Sequence, residues 1–121
     1  MHLVTNTQPI LLVDDNDDDV EATLRAFKRT NLKNAVVRAA TGAEAIALLR
    51  EQRVHPGLIL LDLNMPGLDG RRVLAIIKGD NELRKIPVVV LTTSSDERDI
   101  DECYQLGANT YIQKPVDLDG L

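Results

Sequence analysis

A chain of 121 residues can bury about two thirds of its unfolded surface, which is enough for one core and too little for two. With 44% hydrophobic and 27% charged residues the composition excludes disordered, collagen-like and coiled-coil classes, and aromatics at 2% leave a core of Leu, Ile, Val and Ala. The net charge of −5, with Lys and Arg scattered along the chain, argues against nucleic acid as a direct partner.

The lone Cys103 excludes an internal disulfide and any zinc site built from paired cysteines, and it suits a reducing compartment. No apolar run approaches the ~20 residues of a membrane span, and Met1–Thr5 has neither the charged nor the apolar region of a signal peptide. The expected location is the cytoplasm, with no membrane partner and one domain over residues 1–121.

After a polar lead-in, Ile10–Val13 reads as a buried strand running into Asp14, Asp15, Asn16, Asp17, Asp18 and Asp19. A helix follows with Val20, Leu24 and Phe27 as its apolar stripe, Asn16 or Asp17 as its cap, and acids suited to its positive end. Ala35–Ala40 is a weaker strand; Thr41 caps a second helix through Ala43, Ile46, Ala47 and Leu49, which ends near Arg53 because Pro56-Gly57 forbids continuation.

Leu58–Leu61 is an unbroken aliphatic run ended by the single carboxylate of Asp62 and the Pro66-Gly67 turn, the pattern of a fully buried parallel strand. Leu68-Asp69-Gly70 opens a third helix that buries Val73, Leu74 and Ile77 and ends at Gly79-Asp80. Val88–Leu91 is the next strand, stopping at Thr92, Thr93, Ser94 and Ser95. Asp96 starts a fourth helix with Ile100, Cys103, Tyr104 and Leu106 inward or half-inward and Gly107 at its end. Thr110–Gln113, the last strand, leads into Lys114-Pro115.

Strands alternating with helices predict an α/β fold with a doubly wound parallel sheet. A fifth covering helix is expected and does not fit before Leu121, so either the chain is truncated or another molecule covers that flank. In such a sheet Asp14 and Asp15, Asp62, Thr92 and Lys114 all fall at strand ends on one edge, where α/β proteins place their working groups.

Three carboxylates held together repel one another unless a cation joins them. Mg²⁺ takes one or two carboxylates together with water and phosphate oxygens, which makes it the expected ion, with Mn²⁺ as the alternative. Flanked by Lys114 as a point charge and Thr92 as a donor, the set suits phosphoryl transfer to a carboxylate. Asp62, alone at the central strand tip, is the best nucleophile, while Asp14 and Asp15 are better placed to hold the cation.

Taken singly, each residue has a structural reading as well. Asp17, Asp18 and Asp19 read as capping and solvation, Asp62 as a turn residue, Thr92 and Thr93 as a cap, and Lys114 as a solvated lysine. His2 and His55 read as surface residues and Cys103 as core filling; Ser94 and Ser95 have no base nearby in sequence.

The combination of Asp14-Asp15, Asp62 within Leu60–Gly70, Thr92, Tyr111 and Lys114-Pro115 resembles the receiver domain of two-component response regulators over residues 9–117. The resemblance implies a flavodoxin-like five-stranded sheet in the order 2-1-3-4-5 and a stand-alone phosphoacceptor rather than a multi-turnover enzyme. It implies that Asp62 accepts phosphate from a histidine kinase and that Asp15, Asp62 and the backbone carbonyl of Asn64 bind Mg²⁺. Asp14 would act through water, Lys114 would pair with the phosphoryl group, and the Lys114-Pro115 bond would be cis. Thr92 and Tyr111 would form the switch that alters the surface of the fourth helix, fourth strand and fifth strand.

A narrower similarity, in Pro87–Ser94, Asp99-Ile100, Cys103-Tyr104, Leu106–Asn109, Tyr111-Ile112 and Lys114–Asp117, is to the single-domain regulators of bacterial phytochromes. A bacteriophytochrome kinase is therefore the favoured partner, with a homodimer through the fourth-helix and fifth-strand face and a phosphotransfer protein as further expectations. Thr93 stands where many receivers carry a small residue, which would slow access to the phosphoryl group. Two other classes compete: a phosphorylation-independent docking module, and a haloacid-dehalogenase-like phosphatase, against which Asn64 stands where that family needs a second aspartate.

Overall fold

The computed structural model describes residues 8–67, 69–93 and 96–116. Its elements are β1 (Ile10–Val13), α1 (Asp17–Arg29), β2 (Val36–Ala39), α2 (Gly42–Arg50), β3 (Leu58–Asp62), α3 (Gly70–Gly79), a 3₁₀ turn (Leu83–Lys85), β4 (Val88–Thr92), α4 (Glu97–Gln105) and β5 (Thr110–Gln113). The strands form one parallel sheet in the order β2-β1-β3-β4-β5, as the resemblance implies. No fifth helix occurs among the described residues. The readings of His2, Leu68, Ser94, Ser95 and Asp117 fall outside them.

The three inner strands are continuous apolar runs because both faces are covered. Leu11, Val13, Ile59, Leu61, Val88 and Val90 alternate to one face, against Ile46, Leu49, Val73, Leu74, Ile77 and Cys103. Ile10, Leu12, Leu58, Leu60, Val89, Leu91 and Ile112 alternate to the other, against Val20, Ala26 and Phe27 of α1. The edge strand β2 is half-buried, which accounts for its weaker sequence signal.

Each helix starts on a side-chain cap: Asn16, Thr41, Asp69 and Asp96 accept from Asp19, Glu44, Arg72 and Arg98 N–H groups. Three helices end with a left-handed residue, Asn31, Gln52 and Gly107, one position past the cap. The Lys114-Pro115 bond is cis, as expected.

Some expected helix faces are rotated. Leu24 is 37% exposed and Tyr104 44% exposed, while Thr23 and Ala26 are buried in α1 and Ala45 in α2. Thr23 can be buried because its hydroxyl donates to the Asp19 carbonyl at 2.9 Å, so no polar group is stranded. The 3₁₀ turn had no periodic signal. It is built by Asp80, which accepts from Glu82 and Leu83 N–H at 2.8 and 3.0 Å, and by Lys78, which donates to the Arg84 and Ile86 carbonyls.

Candidate functional site

Register brings the acids together. Val13 pairs with Leu61 across β1 and β3, so Asp14 and Asp62 are the next residues on adjacent strands. Both continue the alternation toward the α1 face, and both are buried, Asp14 completely and Asp62 to 3% exposure. Asp15 is exposed beside them, and one oxygen from each of the three carboxylates lies within 4.8 Å of the others. Asn16 N–H donates to Asp14 Oδ1 at 3.0 Å, and Asn64 N–H donates to Asp62 Oδ1 at 3.2 Å.

Lys114 enters this group from beyond β5. Its backbone N–H donates to the Thr92 carbonyl at 2.7 Å, which continues the β4–β5 ladder past Gln113 and holds the residue at the sheet edge. Its ammonium stands 2.8 Å from Asp19 Oδ2, 3.1 Å from Asp14 Oδ2 and 3.3 Å from Asp62 Oδ1, with the side chain only 8% exposed. Burial opposes the charge on Lys114, but the surrounding carboxylates of Asp19, Asp14 and Asp62 outweigh it and raise its pKa.

Asp62 is pushed the other way from an ordinary aspartate. Burial raises its pKa to about 6, with the Asp14 charge adding to the rise, while the Lys114 ammonium and the Asn64 N–H restrain it. The Lys114 ammonium thus outweighs the repulsion from Asp14, and the rise that remains is the cost of burying the Asp62 charge.

Thr92 is buried at the tip of β4, one residue beyond Leu91, the register partner of Asp62. Tyr111 pairs with Val90 on β5 and so shares with Thr92 the sheet face covered by α2 and α3. Its half-buried ring meets the exposed ring of Tyr104 on α4 edge-on, with centroids 6.3 Å apart. Asn64 has its N–H on Asp62 and is exposed.

Three residues of the site were not singled out in the sequence. Asp19, read there as capping and solvation, makes the shortest contact to Lys114. Arg38 on β2 donates through Nε and Nη2 to the Asp14 carbonyl and pairs with Asp17 at 2.7 Å, fixing the end of β1 from the neighbouring strand. Gly70 brings the start of α3 against the end of β3, its N–H donating to the Leu63 carbonyl at 3.2 Å. No local signal separates this role of Asp19 from capping, because the helix dipole favours a first-turn acid in either case.

The donor set fits a hard divalent cation. Asp14 and Asp62 bring buried carboxylate oxygens together with the Lys114 ammonium beside Asp14 Oδ2, at 3.1 Å, and Asp15 adds an exposed carboxylate within 4.8 Å. Oxygen-only ligands with open positions match Mg²⁺ or Mn²⁺ rather than zinc.

Residues 10–121 match the family model of the response regulator receiver domain. Response regulator Rcp1 of Synechocystis sp. is 41% identical, over 93% of this chain and 80% of its own. The crystal structure of the Mn²⁺-bound form of response regulator Rcp1 is similar with a TM-score of 0.81, 39% identity, and 94% and 86% of the two chains covered. The structure of the bacteriophytochrome response regulator AtBRR gives a TM-score of 0.84 and 44% identity over 93% and 85%. That of the phosphorylated cyanobacterial phytochrome response regulator RcpA gives 0.82 and 45% over 90% and 81%. The chain belongs to the receiver-domain family of two-component response regulators.

Proposed function

We propose that this receiver takes a phosphoryl group onto Asp62 from a histidine kinase, in a reaction that depends on Mg²⁺ or Mn²⁺. The observation that carries this reading is the buried pair Asp14 and Asp62, with Asp15 beside them and the Lys114 ammonium within 3.1 Å of Asp14 and 3.3 Å of Asp62. Asp15, Asp62 and the Asn64 carbonyl would hold the cation and Asp14 would act through water. The bound ion would supply neutralising charge and a fixed position for phosphate oxygens.

A carboxylate oxygen of Asp62 attacks phosphorus, the bond to the donor nitrogen breaks with its electron pair leaving on the imidazole, and an acyl phosphate remains. Lys114, 3.3 Å from Asp62, is close enough to follow the negative charge onto the phosphoryl oxygens. Thr92, one strand over, supplies a hydroxyl donor; its movement toward the phosphoryl group would vacate space for the Tyr111 ring on the same face. The altered surface would be that of α4, β4 and β5, the region where Tyr104 and Tyr111 meet.

The similarity to phytochrome response regulators supports a bacteriophytochrome kinase as donor. The receiver would act by protein contact, as a homodimer or toward a phosphotransfer protein. A cytoplasmic location goes with that partner; among the described residues no helix is long and apolar enough to cross a membrane.

Intact mass after incubation with acetyl phosphate and Mg²⁺ tests the reading, with Asp62→Asn and EDTA as controls and a phosphorylated histidine kinase as second donor. A gain of one phosphoryl group that needs both the metal and Asp62 is expected. No gain from either donor would overturn it.

A further inference from the structure

We propose that Asp19 is a positioning residue for the Lys114 ammonium, drawing it toward α1 so that Asp14 and Asp62 stay available to a divalent cation. The inference rests on the metal-dependent phosphoacceptor reading above.

The three distances from the ammonium are unequal: 2.8 Å to Asp19, 3.1 Å to Asp14 and 3.3 Å to Asp62. The contact to Asp19 is the shortest of the three and a well-formed hydrogen bond. The ammonium thus sits nearest the one carboxylate that no metal role requires. Asp19 is the cheapest of the three to pair, because its side chain is 40% exposed while Asp14 and Asp62 are buried.

A cation entering the site must compete with Lys114 for the oxygens of Asp14 and Asp62. With Asp19 neutral the ammonium has two carboxylates instead of three and settles closer to both, so the competition stiffens. The fold prepares Asp19 for this task. Its backbone N–H is used by the Asn16 cap at 2.9 Å and its carbonyl by Thr23, and among the described residues its side chain pairs with the lysine. Replacing the carboxylate by an amide leaves both backbone bonds intact.

The test is a double-mutant cycle on Mg²⁺ affinity at fixed pH, read from amide chemical shifts as Mg²⁺ is added to wild type, Asp19→Asn, Lys114→Met and the double variant. Asp19→Asn is expected to weaken Mg²⁺ binding about fivefold when Lys114 is present, and by less than half that factor when it is Met. Asp19→Glu, which restores a carboxylate with a longer reach, is expected to recover most of the affinity. A factor that is not at least halved in the Lys114→Met background means that Asp19 acts only by its field, and overturns the proposal; so does an unchanged affinity in Asp19→Asn. Wild-type protein that binds no Mg²⁺ would remove the metal reading itself, whereas binding without coupling removes only the role of Asp19.

Discussion

Gly70 packs its α-carbon against the backbone carbonyl of Asp62, and a β-carbon at this position would overlap that oxygen and the Leu63 backbone. The obstacles are main-chain atoms at the tip of β3, which cannot rotate away as a side chain could. Gly70→Ala is therefore expected to destabilise the protein by about 2 kcal/mol or more and to displace Asp62. Urea unfolding followed by circular dichroism reads the first effect and acetyl-phosphate labelling the second. Gly79, at the other end of the same helix, has nothing within 4 Å of a built β-carbon. Gly79→Ala should leave labelling intact and raise stability by about 0.5 kcal/mol, because Ala loses less entropy on becoming helical. Equal losses in the two variants would contradict this placement of α3.

The raised pKa of Asp62 makes stability depend on pH in a stated direction. In the unfolded chain the carboxyl ionises near 3.8, and in the folded protein near 6, so between those values the folded state holds the extra proton. Stability contributed by this group falls as pH rises through that window and is flat above it. Asp62→Asn cannot ionise. Without metal it should be more stable than wild type by about 2 to 3 kcal/mol at pH 7, and the two should converge near pH 4. Denaturant midpoints at both pH values provide the check, and a constant difference would show that Asp62 is not ionising with a raised pKa. The favourable contact with Lys114 does not reverse the sign, since it already restrains the rise.

Asp15 separates metal binding from folding. It is exposed and has no hydrogen bond or ion pair among the described residues, so Asp15→Asn should change ion-free stability by less than about 0.5 kcal/mol. A cation held by the native site alone stabilises by about 2.7 kcal/mol at a hundred times its dissociation constant. Thermal unfolding with and without Mg²⁺ should show that gain in wild type and little of it in the variant. A full gain in Asp15→Asn would mean that the ion is held by Asp14 and Asp62 alone.

What the sequence made legible follows from what each residue answers to. Ile10–Val13, Leu58–Leu61 and Val88–Leu91 are buried on both faces, so their apolar runs are unbroken and the polar residues ending them stand out. The site could be read from Asp14, Asp62, Thr92 and Lys114 because a parallel sheet sends all its strand ends to one edge. Asp19 could not, since an acid in the first turn of a helix is also what the helix dipole favours, and the local signal is the same in either role. Leu24 failed for a related reason. A stripe of Val20, Leu24 and Phe27 and one of Val20, Thr23 and Phe27 differ by a 100° step, and only the internal hydrogen bond of Thr23 makes the second one affordable.

Arg71 is the residue that ties α3, and through it the end of β3, to α4. Its Nη2 pairs with Asp99 at 3.1 Å and its Nε with Glu102, and the guanidinium is 32% exposed. Pairs this exposed contribute little to global stability, so Arg71→Ala should cost about 1 kcal/mol or less. Its effect should instead be local. Only Cys103 of α4 is buried, so the helix is expected to open from the low end of the stability scale. Losing both ion pairs is expected to speed amide hydrogen exchange across Glu97–Gln105 several-fold while β1, β3 and β4 are unchanged. If α4 is the element that phosphorylation shifts, the variant should also narrow the difference in α4 exchange between the unmodified and acetyl-phosphate-treated protein. Exchange that rises uniformly over the whole sheet would show instead that Arg71 supports the core, and that α4 has no separate freedom for a switch to use.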